Sequence, residues 1–302
     1  MAFRWQGIRR ALATQPPAEP ITDEKQVRQT YRAFRIRMMY SMLVGYAGYY
    51  LVRKNFSMAM PVFIEELSVS RTELGIVLSA FSILYGVGKF ANGMLADRAN
   101  PRYFMAIGLA GAAVMNLCFG LSSALWTFGL FWLANAWFQS MGWPPCARLL
   151  THWYSASERG TMWGLWNASH QIGGATILVM SGVLITRLGW RAAFIVPAVL
   201  ALILAAFLLN RLRDTPRSLG LPPVELMHGE KPDPREIEQE PFFRILRRQV
   251  INNPAIWVLC FANFFVYVVR VGILDWAPTY LVEAKGSQLD SAGWQVAGFE
   301  IA

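Results

Sequence analysis

Seven apolar stretches with few charges recur along the chain, at approximately 38–62, 74–95, 103–123, 126–149, 162–186, 192–209 and 254–281. Each reaches or approaches the ~20 residues that a helix needs to cross roughly 30 Å of hydrocarbon. An eighth begins near Trp294 and runs to Ala302, the last residue, so the sequence reads as truncated within a span. In hydrocarbon every backbone N–H and C=O must be paired within the segment, so such runs fold as helices. The expected fold class is therefore an all-α membrane protein with about seven complete spans plus the start of an eighth. Bulk composition agrees: 55% of residues are hydrophobic and 16% charged, against about 45–50% and about 25% in soluble proteins.

The formal net charge of +9 would suggest nucleic acid in a soluble protein. Here the basic residues sit between apolar runs, with 20 Lys and Arg on the side of the N-terminus, 4 on the opposite side, and Arg53, Lys54, Lys89 and Arg270 inside spans. This asymmetry places the N-terminus in the cytosol and excludes a nucleic-acid groove. No secretory signal precedes the first span. Cys118, Cys146 and Cys260 lie singly within apolar runs, so neither a disulfide framework nor a metal site is expected, and no cofactor motif is present. The organisation reads as a cytosolic segment 1–37, a six-helix bundle 38–209, a Pro- and charge-rich cytosolic linker 210–250, and the start of a second bundle 251–302.

Charges inside spans are costly and carry a task or a partner. Arg53 lies roughly 24 Å from Arg37 and about 18 Å from Glu65, and Arg270 about 25 Å from Asn253 and about 20 Å from Glu283, so both sit near mid-bilayer. Each closes a Tyr-x-Val-Arg run, 50–53 and 267–270, in the first span of its half. Such correspondence marks duplicated carriers whose sites lie at the midplane between repeats. Two guanidiniums brought together repel unless an anion lies between them, and the planar fork of arginine suits a phosphoryl group. The alternative is that each arginine pairs with a carboxylate, the acids near in sequence being Glu65, Glu66 and Asp275. Lys89 is a second cationic contact or a lysine reaching the cytosolic interface. Lys54 points about 100° away from Arg53 and calls for a structural partner. His170 is either a core residue or a group that titrates with substrate. Tyr46 and Tyr50 share a stripe with Arg53 and either extend a hydrogen-bonding surface or pack.

The loop "GMLADRANPR" resembles the Gly-x-x-x-Asp-Arg-x-x-x-Arg signature of the major facilitator superfamily, here Gly93, Asp97, Arg98 and Arg102. Together with "YYLVRKNF", "YGVGKFANGMLADRANPR", "GWPPCARLLTHWYSASERG", "WNASHQIGGA", "LRDTPRSLGLPP" and "VYVVRVGILDWAPTYL", it resembles the organophosphate:phosphate antiporter family from about residue 30 onward. That resemblance implies two six-helix bundles, here truncated, in a bacterial inner membrane, exchanging glycerol-3-phosphate, a sugar phosphate or phosphoglycerate for inorganic phosphate. It implies phosphate-binding roles for Arg53 and Arg270, pathway roles for Lys89, His170, Tyr46, Tyr50 and Tyr85, and a conformational role for Gly93, Asp97, Arg98 and Arg102. A carrier of this kind acts as a monomer in the bilayer. The alternative within the family is a sugar-phosphate sensor working with a membrane partner kinase. A phosphate-ester hydrolase lacks support, since the spans hold no acidic metal cluster, phosphate-cradling Gly loop or nucleophile–base pair.

Overall fold

The computed structural model describes residues 12–123, 125–227, 229, 244 and 246–301. Residues 1–11 of the N-terminal segment and residues 228, 230–243 and 245 of the linker fall outside them. The helices are α1 (Glu24–Leu51), α2 (Asn55–Leu67), α3 (Arg71–Ala96), α4 (Pro101–Leu121), α5 (Leu125–Gln139), α6 (Trp143–Trp153), α7 (Ala156–Leu188), α8 (Ala192–Arg211), the short α9 (Val224–Met227), α10 (Pro254–Lys285) and α11 (Leu289–Ile301). Local chemistry sets several of the starts: Ser70 and Glu73 form a capping box on α3, and Asn100 and Asn253 cap helices whose first residue is proline.

Two of the expected spans are not single helices. The first breaks at Val52–Lys54 between α1 and α2, and the fourth breaks at Ser140–Gly142 between α5 and α6. The second break has a local cause. Pro144 and Pro145 lack N–H groups and fit only the first turn of a new helix, so the chain restarts at Trp143. The remaining helices differ from the hydropathy windows at their ends: α7 begins at Ala156 rather than 162, and α11 at Leu289 rather than near Trp294. Apolar windows find the hydrocarbon, whereas capping residues decide where helices stop.

In the bundle α1 packs between α7 and α8, α8 against α4, α4 against α5, and α5 against α3. Two aromatic-rich cores result. One surrounds Tyr46, Tyr49, Trp153 and Trp166. The other stacks Phe119 on Phe194 at 4.3 Å and Phe56 on Trp132 at 4.6 Å between ring centroids. Close backbone approach is made by Gly173, where a Cβ would lie 2.7 Å from the Ala47 carbonyl oxygen, and by Gly293, where it would lie 2.7 Å from that of Leu178. Gly88 does the same on α3, where a Cβ would lie 2.5 Å from Ser140 Oγ, whereas Gly86 and Gly93 face open space.

The end bearing the N-terminus is clasped by residues 12–21. Asn100 N–H donates to the Leu12 carbonyl, Gln15 N–H to the Asp214 carboxylate, and Ile21 N–H to the Gly220 carbonyl, each at 2.8–2.9 Å. Arg148 fastens the same region, donating to the carbonyls of Ala96, Asp97 and Ala99 and to Asp214. Burial raises the Asp214 carboxyl from its ordinary range, and the Arg148 guanidinium opposes that rise.

Among the described residues, helix α10 meets the six-span bundle chiefly toward the opposite end. There it packs on α2, Arg71 pairs with Glu283 at 2.7 Å, and α11 lies against α7. Its first half is bare: Val258, Phe261, Phe265 and Val269 are each more than 60% exposed.

Candidate functional site

The break in the first span determines where Arg53 goes. At Val52 the helical ladder stops, which frees carbonyls in an apolar interior where each unpaired group costs several kcal/mol. Side-chain amides take them up: Asn116 Nδ2 and Asn135 Nδ2 donate to the Val52 oxygen at 2.8 and 2.9 Å, and Gln139 Nε2 donates to the Tyr49 oxygen at 2.9 Å. Asn55, the first residue of α2, donates to Asn116 Oδ1 at 2.8 Å and to the Ala193 carbonyl at 3.0 Å. The turn thus held projects Arg53 to one side and Lys54 to another.

Around Arg53 the environment is aromatic. Its guanidinium carbon lies 4.2 Å from the Tyr85 ring centroid, 5.7 Å from Phe81 and 5.8 Å from Tyr50. Lys89 Nζ stands 4.8 Å from the same Tyr85 ring, so one tyrosine serves two cations. No carboxylate lies within ion-pair distance of Arg53 among the described residues. Tyr46 and Tyr50 continue the stripe toward α7, with the His170 ring 4.9 and 5.4 Å from theirs. His170 Nδ1 faces the Asn167 carbonyl at 2.7 Å, so this nitrogen carries the proton and, in the neutral ring, Nε2 is an acceptor. His170 is close enough to Lys89, Arg270 and Arg53 to feel all three charges.

Arg270 sits differently. Its Nη2 lies 3.1 Å from Oε2 of Glu300, a carboxylate only 5% exposed on α11 that also packs against Gly174 of α7. Sequence reading weighed only acids near Arg270 in the chain; the one that reaches it comes from the next helix. Asp275, the nearest of those acids, pairs instead with Lys54 at 2.9 Å and accepts from Ser57 Oγ at 3.3 Å. Lys54 is thereby given the partner that its rotation away from Arg53 calls for, and α10 is tied to the break in the first span.

Arg53, Lys89, Tyr85, Tyr46, Tyr50, His170 and Arg270 are therefore gathered in one region. Gly93, Asp97, Arg98 and Arg102 are not part of it. Asp97 closes α3 with its N–H on the Gly93 carbonyl, Arg98 is exposed, and Arg102 donates to the Leu209 carbonyl on α8. A cleft of about 670 Å³ between α3 and α6 nonetheless joins the two groups, lined by Lys89, Gly93, Asp97, Trp143, Arg148 and His152. The residues that sequence reading missed are Asn55, Asn116, Asn135, Gln139 and Glu300. The signal was available in kind: a buried amide or carboxylate inside an apolar run is costly unless paired.

A model of the Major Facilitator Superfamily matches residues 42–302. A probable hexose phosphate transport protein of Chlamydia trachomatis is 46% identical over 95% of this chain, and the membrane sensor protein UhpC of Escherichia coli is 41% identical over 93%. The chain spans 66% of the length of the first and 65% of the second. In fold, it is similar to the structure of a bacterial homologue of the lysosomal transporter Spinster, with a TM-score of 0.73 at 18% identity, over 88% of this chain and 60% of that one. Helical architecture, family match and relatives agree: the chain is a multi-pass membrane protein belonging to the major facilitator superfamily.

Proposed function

We propose that the protein is a secondary transporter that exchanges an organophosphate, such as glycerol-3-phosphate, a sugar phosphate or phosphoglycerate, for inorganic phosphate by alternating access. The reading rests on one observation. Near the break in the first span and the facing part of α10, four cations (Arg53, Lys54, Lys89 and Arg270) stand against two carboxylates, Asp275 and Glu300, among the described residues. Two positive charges remain, the charge that a phosphate dianion neutralises. Arg53 supplies a planar donor fork without a carboxylate of its own, Lys89 a point charge beside it, and Tyr46, Tyr50 and His170 Nε2 the hydrogen-bonding wall.

Exchange follows from electrostatics. An empty site keeps two uncompensated charges in a low-dielectric interior and resists closing. A bound phosphate species replaces repulsion with charge-assisted contacts, so the closed state is stabilised only when loaded. The carrier then returns only with another phosphate aboard. Counterflow of labelled phosphate in proteoliposomes of the complete gene product, against a panel of glycerol, hexose and glycerate phosphates, tests this. Trans-stimulated phosphate flux is the expected result; its absence with every ester would remove the exchanger reading.

A second reading, a sugar-phosphate receptor signalling to a partner kinase, is favoured by the likeness to the sensor relative. It uses the same cation cluster and differs in outcome: ligand-dependent association with the kinase and little flux.

A further inference from the structure

A wall of aromatic rings runs from Lys89 to His170. Lys89 Nζ lies 5.8 Å from the Trp143 ring, Trp143 is 5.8 Å from Trp163, Trp163 is 6.0 Å from Trp166, and Trp166 is 5.3 Å from the His170 ring. The three indoles are not alike. Trp166 is wholly buried and belongs to the core around Tyr46. Trp143 and Trp163 are only partly buried. Trp143 lines the cleft of about 670 Å³ that also takes in Lys89. Trp163 lies two turns before His170 on the stripe of α7 that carries positions 163, 167 and 170. Gly160 and Gly164 beside it leave the approach clear, since a Cβ at either would meet nothing within 4 Å. The Trp143 and Trp163 rings meet at 64°. An indole face and an indole edge thus form a corner next to an ammonium.

Inorganic phosphate has no use for such a corner, because a hydrated anion gains from donors and not from indole faces. A pyranose ring does. It presents C–H bonds on its faces and hydroxyls round its rim, so it can lie on an indole while its rim hydroxyls accept from an indole N–H. With the phosphoryl group held by Arg53 and Lys89, the ring of a hexose 6-phosphate begins a few bonds from phosphorus, within reach of Trp143 and then of Trp163. Glycerol-3-phosphate or phosphoglycerate ends where that ring begins and extends no further than Trp143. We infer that Trp143 and Trp163 form a sugar subsite, with Trp163 the side chain that favours hexose 6-phosphates over three-carbon esters. The inference rests on the phosphate reading of the cation cluster and names the organic moiety that goes with it.

The test is calorimetric binding to the complete gene product in detergent, with glucose 6-phosphate, its open-chain counterpart sorbitol 6-phosphate, glycerol-3-phosphate and inorganic phosphate as ligands. Glucose 6-phosphate should bind about tenfold tighter than sorbitol 6-phosphate, which carries the same charge on the same carbon chain without a ring to stack. Trp163→Leu keeps an apolar side chain and removes the flat face, so it should lower the affinity ratio of glucose 6-phosphate to inorganic phosphate by about tenfold. Trp163→Phe should restore most of that ratio. Trp126→Ala, which removes an indole 91% exposed at the opposite end of the bundle, should leave the ratio where it was. Equal affinity for the cyclic and open-chain esters in the unmodified protein overturns the inference and requires no variant to fold; so does a ratio indifferent to Trp163→Leu. A protein that binds none of the four ligands loses the proposed function and the sugar subsite together. One that binds inorganic phosphate without discriminating among the esters keeps the phosphate site and loses only the sugar subsite.

Discussion

Arg53 and Arg270 share a residue type, a Tyr-x-Val-Arg context and a depth, yet their surroundings differ. Arg53 rests on the Tyr85 ring and has no carboxylate partner among the described residues, whereas Arg270 leans on the buried Glu300. An aromatic face holds a guanidinium in place without cancelling its charge, while a carboxylate cancels it and competes with any incoming anion. On the proposed function the two arginines are therefore unequal partners: Arg53 is ready for phosphate, and Arg270 must exchange one anion for another.

The largest effect that separates them is expected from lysine replacements. Arg53→Lys loses the bidentate fork at the uncompensated site and should reduce phosphate counterflow by ~100-fold, while Arg270→Lys should cost ~10-fold, at about one to two charge-assisted bonds. Equal losses would break the comparison. Next, Asn135→Leu removes one of the donors on the Val52 oxygen and should destabilise the bundle by about 1–3 kcal/mol in a thermal unfolding assay. An unchanged transition would mean that the break does not depend on that amide. Removing the competing carboxylate by Glu300→Gln should tighten phosphate binding by about tenfold, the size of a single modest ion-pair contribution. Calorimetry showing weaker binding would make Glu300 a scaffold for Arg270 rather than a competitor. The smallest change is reserved for Tyr85→Leu, which removes the shared cation–π face and should weaken phosphate binding about 3-fold; a loss as deep as that of Arg53→Lys would place the Tyr85 hydroxyl, not its ring, at the centre of the site.

Much of the fold could be read from the sequence because hydropathy reports burial in lipid directly. Helices α3, α4, α8 and α10 occupy their windows with small shifts at the ends, and the pair of arginines stood out as charges without an evident reason to be there. Position inside a span was harder. Nothing in the run "YYLVRKNF" shows that its helix stops at Leu51, because the donors that make the stop affordable, Asn116, Asn135 and Gln139, are 60 to 90 residues away and belong to other helices. Glu300 escaped for the same reason. It lies 30 residues beyond Arg270, and a search for counter-charges along one helix cannot see across to its neighbour. Local sequence thus located the cations, and only packing disclosed which of them had been answered.

The gap between α1 and α2 resembles a joint, and its chemistry makes it a splint. Amide arms from α4 and α5 grip the loosened backbone at the point where it could flex or re-coil. Arg53 is consequently a fixture of its own bundle, unable to travel without it.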